Sequence, residues 1–516
     1  MAKLTCLLPL FLTFTLCHGY KILLMAPIPS KSHGILCEGL VRHLLAAGHE
    51  ITYATPYPKV KAHPKLHVID LTSNLDLVPE GLLNVQKVMN KESDLAGGFT
   101  AVYNMIATIP RVTLEYEHVQ KLLTDQSQTF DAVITTYFGN GLYHGLAALY
   151  DCPLIWFNMI EPYSSLLGLI DDTTNPAYVP SASSSNVPPF TFRQRVQELI
   201  SQTLQMLLSE LYLYYAQESD YNKIFTPLLE KRGRTLPPYS EVIYNASLVL
   251  GNSHVSYSHA MRLPINYIQI GGYYVNDNVE PLPSDLQKIL DNAKHGTIYF
   301  SLGSNLKSKD FPENIKKGLI KLFSGLKQTV IWKFEEVMPN LPKNVHILKW
   351  APQQSILAHP NTILFITHGG GLSTTETIHF GKPIIGIPVF GDQFNNIVRA
   401  VKKGFAKKVD LSYSLVEDLE ESINDVLSDN RYAIKAKELS LVYHDRPVPP
   451  GVELVHWVEH VIKTRGAPHL RSPALRMPLY QKLYLDLAAL VLVILYGIRF
   501  ALKILFARKP LKVKKN

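Results

Sequence analysis

Charge is scarce in this chain and unevenly placed. Asp, Glu, Lys and Arg make up 18% of the 516 residues, against 47% hydrophobic residues, which excludes a mainly disordered or low-complexity protein. From Arg499 onward there is no acidic residue, while Arg499, Lys503, Arg508, Lys509, Lys512, Lys514 and Lys515 are all basic. Taking those seven and Lys3 from the net charge of +8 (8 − 7 − 1) leaves residues 20–498 at zero. A neutral body excludes the electrostatic footprint of a nucleic-acid binder, and a basic tail suits a membrane surface. Cysteine is scarce too. Of four, Cys6 and Cys17 fall in the first segment and only Cys37 and Cys152 in the body, too few for a disulfide framework; whether those two pair is open. There is no short repeat and no heptad run. At ~150 residues per domain the length calls for two domains plus accessories.

Both ends read as addresses. Residues 1–19 (MAKLTCLLPLFLTFTLCHG) place Lys3 before an apolar Leu4–Leu16 run and small residues Cys17 and Gly19, the pattern of a secretory signal peptide. At the other end Leu487–Phe506 is an apolar run of membrane-spanning length, interrupted only by Arg499 and Lys503 near its end, where long basic side chains snorkel. We assign a transmembrane helix to residues 485–507 and a basic tail to 508–516. Lys and Arg follow the span on one side only, so the tail is expected in the cytosol and the body in the lumen, a single-pass type I arrangement. Lys512 and Lys514 stand five and three places from the end and resemble the di-lysine retrieval signal of endoplasmic-reticulum membrane proteins. Asn245-Ala246-Ser247 is a glycosylation sequon that this topology exposes.

The body divides into two similar parts. KILLMAP, EITYAT, LHVIDL, FDAVIT and PLIWFN read as buried strands in residues 20–160, with helical patterns such as 35–47 and 141–149 between some of them. TIYFSLG, TVIWKF, NVHILKW, TILFITHG and KPIIGIP form a second set, separated by helical patterns at 312–326, 371–380, 392–403 and 414–427. Each half is the α/β alternation of a doubly wound parallel sheet. The expected division is 20–270 for the first domain, 271–287 for a Gly- and Pro-bearing linker, 288–447 for the second domain and 448–484 for a helical segment and tether. The Ser-, Pro- and Tyr-rich stretch 157–215 is expected to shape a pocket.

The richest segment runs from Trp350 to Gln393. Gly369, Gly370 and Gly371 follow an apolar strand and open a helix, a turn whose N–H groups and dipole suit a diphosphate. His368, Thr367, Ser373 and Thr374 lie beside it. Trp350 ends a strand where a base can stack; Gln353 and Glu376 can hydrogen-bond a ribose; Asp392 and Gln393 open another helix and suit sugar hydroxyls. Taken singly, Trp350 is more often a core residue and Asp392 a helix cap. Their order and spacing together argue for a nucleotide-sugar site.

That segment resembles the signature of the UDP-glycosyltransferase family, which includes the animal UDP-glucuronosyltransferases. Trp350, Gln353, His368, Gly369, Gly370, Ser373, Glu376, Pro383, Pro388, Asp392 and Gln393 fall in register with it. The signal peptide, FSLGS (300–304), GAPHLRS (466–472) and the span with its basic tail follow in the family's order, and the whole is most similar to membrane-bound insect-type members. The resemblance implies a GT-B fold, two Rossmann-like domains facing a cleft, with UDP-sugar on the second domain and acceptor on the first. It implies that Gly303 and Ser304 approach the donor, Trp350 stacks on uracil, Gln353 and Glu376 hold the ribose, His368 meets the diphosphate, and Asp392 and Gln393 read the sugar. It places the catalytic base at His33, after Ser32, where a His near neutrality takes a hydroxyl proton. Many relatives carry an Asp or Glu where Thr136 stands, to orient and charge-stabilise that base. Thr136 can accept the imidazole N–H and cannot stabilise its charge.

The implied activity is inverting transfer of a hexose to a small lipophilic acceptor, with UDP-sugar as co-substrate and no metal. Relatives that use glucuronic acid carry an Arg before the linker; counting back from Gly271-Gly272 that position falls on Met261, with Arg262 one residue off, which favours glucose. The alternative is a luminal nucleotide-sugar-binding protein with weak or no catalysis, prompted by Thr136. An epimerase fits the membrane topology and His33 less well. The acceptor and the oligomeric state are not legible.

Overall fold

The computed structural model of the protein describes residues 19–78, 85–90, 95–181, 184, 186–208, 214–276, 278–304 and 306–506. Residues 1–18 of the expected signal peptide, and the tail with Lys512 and Lys514, lie outside the described residues.

Two parallel sheets organise the body. The first contains β1 (Lys21–Met25), β2 (Glu50–Thr55), β3 (Leu66–Asp70), β4 (Ala132–Thr136), β5 (Leu154–Asn158), β6 (Leu248–Gly251) and β7 (Tyr267–Gln269), in the order β3-β2-β1-β4-β5-β6-β7. The second contains β8 (Thr297–Ser301), β9 (Thr329–Lys333), β10 (Val345–Leu348), β11 (Thr362–Thr367), β12 (Ile384–Gly386) and β13 (Ala406–Lys408), in the order β10-β9-β8-β11-β12-β13. Strands β4, β5 and β8 are buried at every position, which is why they read as unbroken apolar runs: helices cover both faces of a parallel sheet. In each sheet the chain reverses direction of growth between the first strand and the fourth, β1 and β4 in one and β8 and β11 in the other. Ligands of such sheets bind at the carboxyl ends beside that reversal. Strands β6, β7 and β13 were not anticipated; they are three or four residues long, too short to carry a pattern.

Eight helices shape the cleft and the membrane end. They are α1 (Lys31–Ala46), α2 (Leu95–Glu115), α3 (Phe192–Leu208), α4 (Gln353–Ala358), α5 (Gly371–His379), α6 (Asp392–Lys402), α7 (Pro450–Lys463) and α8 (Leu485–Phe506). Helix α7 comes after the second sheet in sequence but returns to the first. Leu454, Val458 and Val461 are fully buried in the same apolar cluster as Leu36, Leu40 and Leu44 of α1. The stretch expected as a linker is likewise tied down at its start. Gly271 N–H donates to Ser253 O at 3.0 Å, Arg446 donates to Gly271 O at 2.6 Å, and buried Tyr273 donates to Leu36 O at 2.7 Å. A helix then begins at Ser284. Direct contacts also join the two sheets' units: Arg399 pairs with Glu161 at 3.2 Å, and Tyr274 donates to Leu372 O at 3.0 Å. Cys37 and Cys152 are free thiols in clusters on opposite faces of the first sheet. Helix α8, with a mean hydropathy of 2.2 and no buried residue, is the one helix among the described residues long and apolar enough to cross a membrane.

Because α7 clamps α1, the helix that carries His33, its core should matter to the whole first unit. Leu454→Ala is expected to cost about 2–5 kcal/mol by cavity formation. Denaturant unfolding of the detergent-solubilised chain measures it, and an unchanged midpoint would mean that α7 is not integral to the fold.

Candidate active site

The residues expected to hold the donor converge at the carboxyl ends of the second sheet. Gly303 and Ser304 follow β8, Trp350 follows β10, His368 to Gly370 follow β11, and Asp392 opens α6 after β12. At the centre is a close packing of backbone on a ring. Gly303 has φ +79°, and a Cβ there would lie 2.4 Å from His368 Cε1; a Cβ on Gly370 would lie 2.5 Å from His368 Nε2. Only glycine lets these two turns close on the imidazole. The His368 pKa falls to about 4, first through burial and then through the positive charge of Lys333. Its Nδ1 has no hydrogen-bond partner. At neutral pH the ring is therefore uncharged and offers a diphosphate a neutral hydrogen bond, weaker than a charge-assisted one.

The residues expected at the ribose form one linked set. Gln353 Nε2 donates to Glu376 Oε2 at 2.6 Å and to Ser373 Oγ at 3.1 Å, and Gln354 Nε2 donates to Glu376 Oε1 at 3.1 Å. Burial raises the Glu376 pKa to about 7, against the opposing pull of those hydrogen bonds. Gln353 thus holds Glu376 in place. Trp350 is 52% exposed, and Lys31 Nζ from α1 lies 3.6 Å from its ring centroid. Asp392 accepts from Asn396 Nδ2 at 2.8 Å, and burial raises its pKa. Gln393 points elsewhere: its Oε1 accepts from Val389 N–H at 2.8 Å and Phe390 N–H at 3.1 Å, and its side chain is 2% exposed. Its amide oxygen is spent on the loop that precedes α6.

One residue here was not anticipated. Lys333, the last residue of β9, is buried and donates to Gly303 O at 2.9 Å and Glu335 at 2.6 Å. It is a cation beside the glycine turn. The signal was present in VIWKF, where a Lys ends an otherwise apolar strand.

On the first sheet, His33 lies in the first turn of α1 and Thr136 ends the adjacent strand β4. No hydrogen bond joins them: His33 Nδ1 and Thr136 Oγ1 are both buried without a partner. The Phe138 ring lies 6.3 Å from the imidazole instead. Burial alone pushes the His33 pKa down to about 4. The small cavity beside Thr136 is lined by Pro27 and Ile28 before α1, by Met105, Ile106 and Ile109 of α2, and by Phe138. The stretch 157–215, expected to build the pocket, contributes nothing to this lining. Helix α2, for which no role was expected, lines the cavity instead. Among the described residues no cluster of three or more His, Cys, Asp or Glu is placed to hold a metal ion.

Comparison with known proteins adds to this geometry. A family model described as UDP-glucoronosyl and UDP-glucosyl transferase matches residues 21–515. The chain is 33% identical to UDP-glucosyltransferase 2 of Dactylopius coccus, over 94% of this chain and 92% of the relative. It is 27% identical to UDP-glucuronosyltransferase 1A1 of Rattus norvegicus, over 96% and 92%. Among solved structures, the glycosyltransferase of kitacinnamycin superposes with a TM-score of 0.56 at 17% identity, covering 86% of this chain and 99% of that one. The calicheamicin glycosyltransferase CalG4 gives 0.55 at 16%, covering 87% and 100%. These two likenesses establish the fold.

Trp350→Ala is expected to weaken UDP binding by ~1–3 kcal/mol through lost base stacking. His368→Ala, which removes a neutral donor, should cost a smaller ~0.5–1.5 kcal/mol. Calorimetry with UDP decides, and unchanged affinity in both variants would remove the site.

Proposed function

We propose, for a chain that belongs to the UDP-glucoronosyl and UDP-glucosyl transferase family, inverting transfer of a hexose from a UDP-sugar to a hydroxyl of a small lipophilic acceptor. Family and fold make the protein a UDP-glycosyltransferase of GT-B architecture. The observation that carries the finer reading is the pairing of two edges. His33 and an apolar cavity stand at the carboxyl end of one sheet, and the His368–glycine turn stands at the carboxyl end of the other.

In this reading His33 takes the proton of the acceptor hydroxyl as its oxygen attacks the anomeric carbon. The bond from that carbon to the UDP oxygen breaks on the opposite face, UDP leaves with the electron pair, and configuration inverts. The α5 N-terminus, His368 and Lys333 receive the diphosphate charge. Trp350 stacks on the base, Glu376 held by Gln353 takes the ribose hydroxyls, and Asp392 reads the sugar; Gln393 shapes the loop behind it. Glucose is the favoured sugar. Met261, at the position where glucuronic-acid users carry Arg, packs on the apolar cluster of the first sheet, and Arg262 is exposed. A glucuronate carboxylate would have no charge-assisted partner there. The competing reading, a donor-binding protein with weak or no transfer, draws on the uncharged and unpaired Thr136. The protein would reside in the endoplasmic-reticulum membrane with its body luminal and Asn245, which is exposed, open to glycosylation.

Two expectations test this. A folded-state pKa near 4 keeps His33 neutral, and so competent as a base, throughout the neutral range; its rate contribution should fall only as pH drops towards 4, well below an unperturbed His. Thr136→Asp adds a charge that favours imidazolium, so the acid limb should move up and turnover of aliphatic alcohols should rise. His33→Ala should lower transfer by ~10²–10⁴-fold with UDP affinity unchanged. Rates against pH for the three proteins with UDP-glucose decide; an active wild type indifferent to His33→Ala removes the base, and an inactive one with tight UDP binding favours the competing reading. Separately, changing Lys512 and Lys514 to Ser should release the protein from the endoplasmic reticulum, read by the processing of its glycans. Unchanged retention would strip the tail of that role.

A further inference from the structure

Helix α3 is built inside out. Its polar residues Glu198 and Gln202 are 2% and 8% exposed, and both are satisfied. Glu198 accepts from Ser181 N–H at 2.7 Å, from Asn186 Nδ2 at 2.8 Å and from the Ser184 hydroxyl. Gln202 donates to Val179 O at 2.8 Å and accepts from Thr174 Oγ1 at 3.2 Å. On the other side Phe192, Val196, Leu199, Ile200, Leu204 and Leu208 stand exposed at helical spacing, Phe192 at 75%. A helix on a soluble surface does the reverse. Glu198 is the only acid in α3, so its outward face carries no negative charge, while Arg193 and exposed Arg195 flank Phe192, the Arg195 guanidinium 5.8 Å from that ring.

The position of α3 identifies the occupant. The segment that leads into it is held by the tether of the membrane-spanning helix α8. The Ser472 hydroxyl donates to Asp171, and Lys482 pairs with Asp172 at 3.3 Å, three residues before α8 begins. Two residues beyond Asp172, a reach of about 7 Å at most, Thr174 binds Gln202 in the middle of α3. Between them the tether exposes Leu479, Tyr480, Leu483 and Tyr484, an aromatic and apolar patch continuous with the start of the span.

We propose that α3 is a bilayer-docking surface. The outward stripe of α3 lies in the headgroup–acyl boundary of the same leaflet that α8 enters, its arginines among the headgroups. The span and α3 then hold the first domain at two points and fix its orientation on the membrane. This accounts for the polar inward face: Glu198 and Gln202 fasten α3 to the 174–186 segment by hydrogen bonds, since its apolar side chains are committed to lipid. The proposal rests on α8 being a span.

The test uses the full chain with Cys152→Ala, one copy per nanodisc of phosphatidylcholine and phosphatidylserine in a four-to-one ratio. A nitroxide is attached in turn at Ile200→Cys, at Ile494→Cys in the span and at exposed Lys121→Cys, and collision with oxygen and with a nickel chelate is measured. Retained UDP affinity certifies each labelled protein as folded. The expected result is a nickel collision rate at 200 several-fold below that at 121, with oxygen collision raised, as at 494. A label at 200 as open to nickel as the one at 121, with 494 shielded, overturns the docking surface and leaves the span standing. Nickel access at 494 overturns the span itself. Shielding at 200 that arises only in discs loaded with two copies makes α3 a contact between copies and overturns the lipid reading.

Discussion

Desolvation of the cleft between the two sheets is the constraint that governs the chemistry of this protein. Burial is the largest cause of every shift at the site: His33 and His368 fall to about 4, Glu376 rises to about 7, and Asp392 rises as well. All four move towards their uncharged forms. Burial thus works against charge on each of these four side chains. Beside them Lys333 Nζ donates to Glu335 and to the Gly303 carbonyl. A buried cation compensated by one carboxylate and one carbonyl stands ready to exchange part of that set for phosphate oxygens.

The same dryness shapes His33, the base of the proposed reaction. A His with a pKa near 4 is always in its basic form at neutral pH but is reluctant to hold a proton. Relatives with a carboxylate at the Thr136 position offset that reluctance with charge. Here Thr136 Oγ1 and His33 Nδ1 face the interior unpaired, so two polar groups bear a desolvation cost that nothing in the described structure repays. A bound acceptor that supplied a hydroxyl to either atom would relieve it, which turns the unpaired state into binding energy for a polar group at the floor of an apolar cavity.

How much of this was legible depended on how local each feature is. Of the ten strands read from the sequence as buried, eight are largely buried runs, while β3 and β10, at the sheet edges, are partly or largely exposed because one side has no neighbouring strand. The glycine turn after β11 and the helix it opens depend on neighbours within a few residues. The hydrogen-bonded unit of Gln353, Ser373 and Glu376 was named residue by residue, yet its internal order was not: that Gln353 grips Glu376 depends on a contact 23 positions apart. Gln393 was expected at the sugar because it opens α6 with Asp392 and falls in register with the family signature, but its amide oxygen accepts from the loop that precedes α6. The return of α7 to α1 and the intrusion of α2 beside Thr136 are tertiary facts with no local sign. Helix α3 lies in the stretch expected to shape a pocket, and only its burial pattern shows that its apolar stripe faces out.

The last link joins the two domains to the donor. Trp350 is open enough to stack on a base, but the Lys31 ammonium of α1 already lies over its ring. A cation–π contact at a half-exposed site is worth about 0.5–1 kcal/mol, and stacking a base on an aromatic ring about 1–3 kcal/mol. The exchange favours the base, so Lys31 is no barrier to binding on that face. Lys31 opens the helix that carries His33 two residues later, and the Glu161–Arg399 pair and the Tyr274–Leu372 hydrogen bond hold the domains together nearby in the fold. In the proposed reading, a base stacked on that face of Trp350 would displace Lys31 from the first turn of α1, the helix that carries His33.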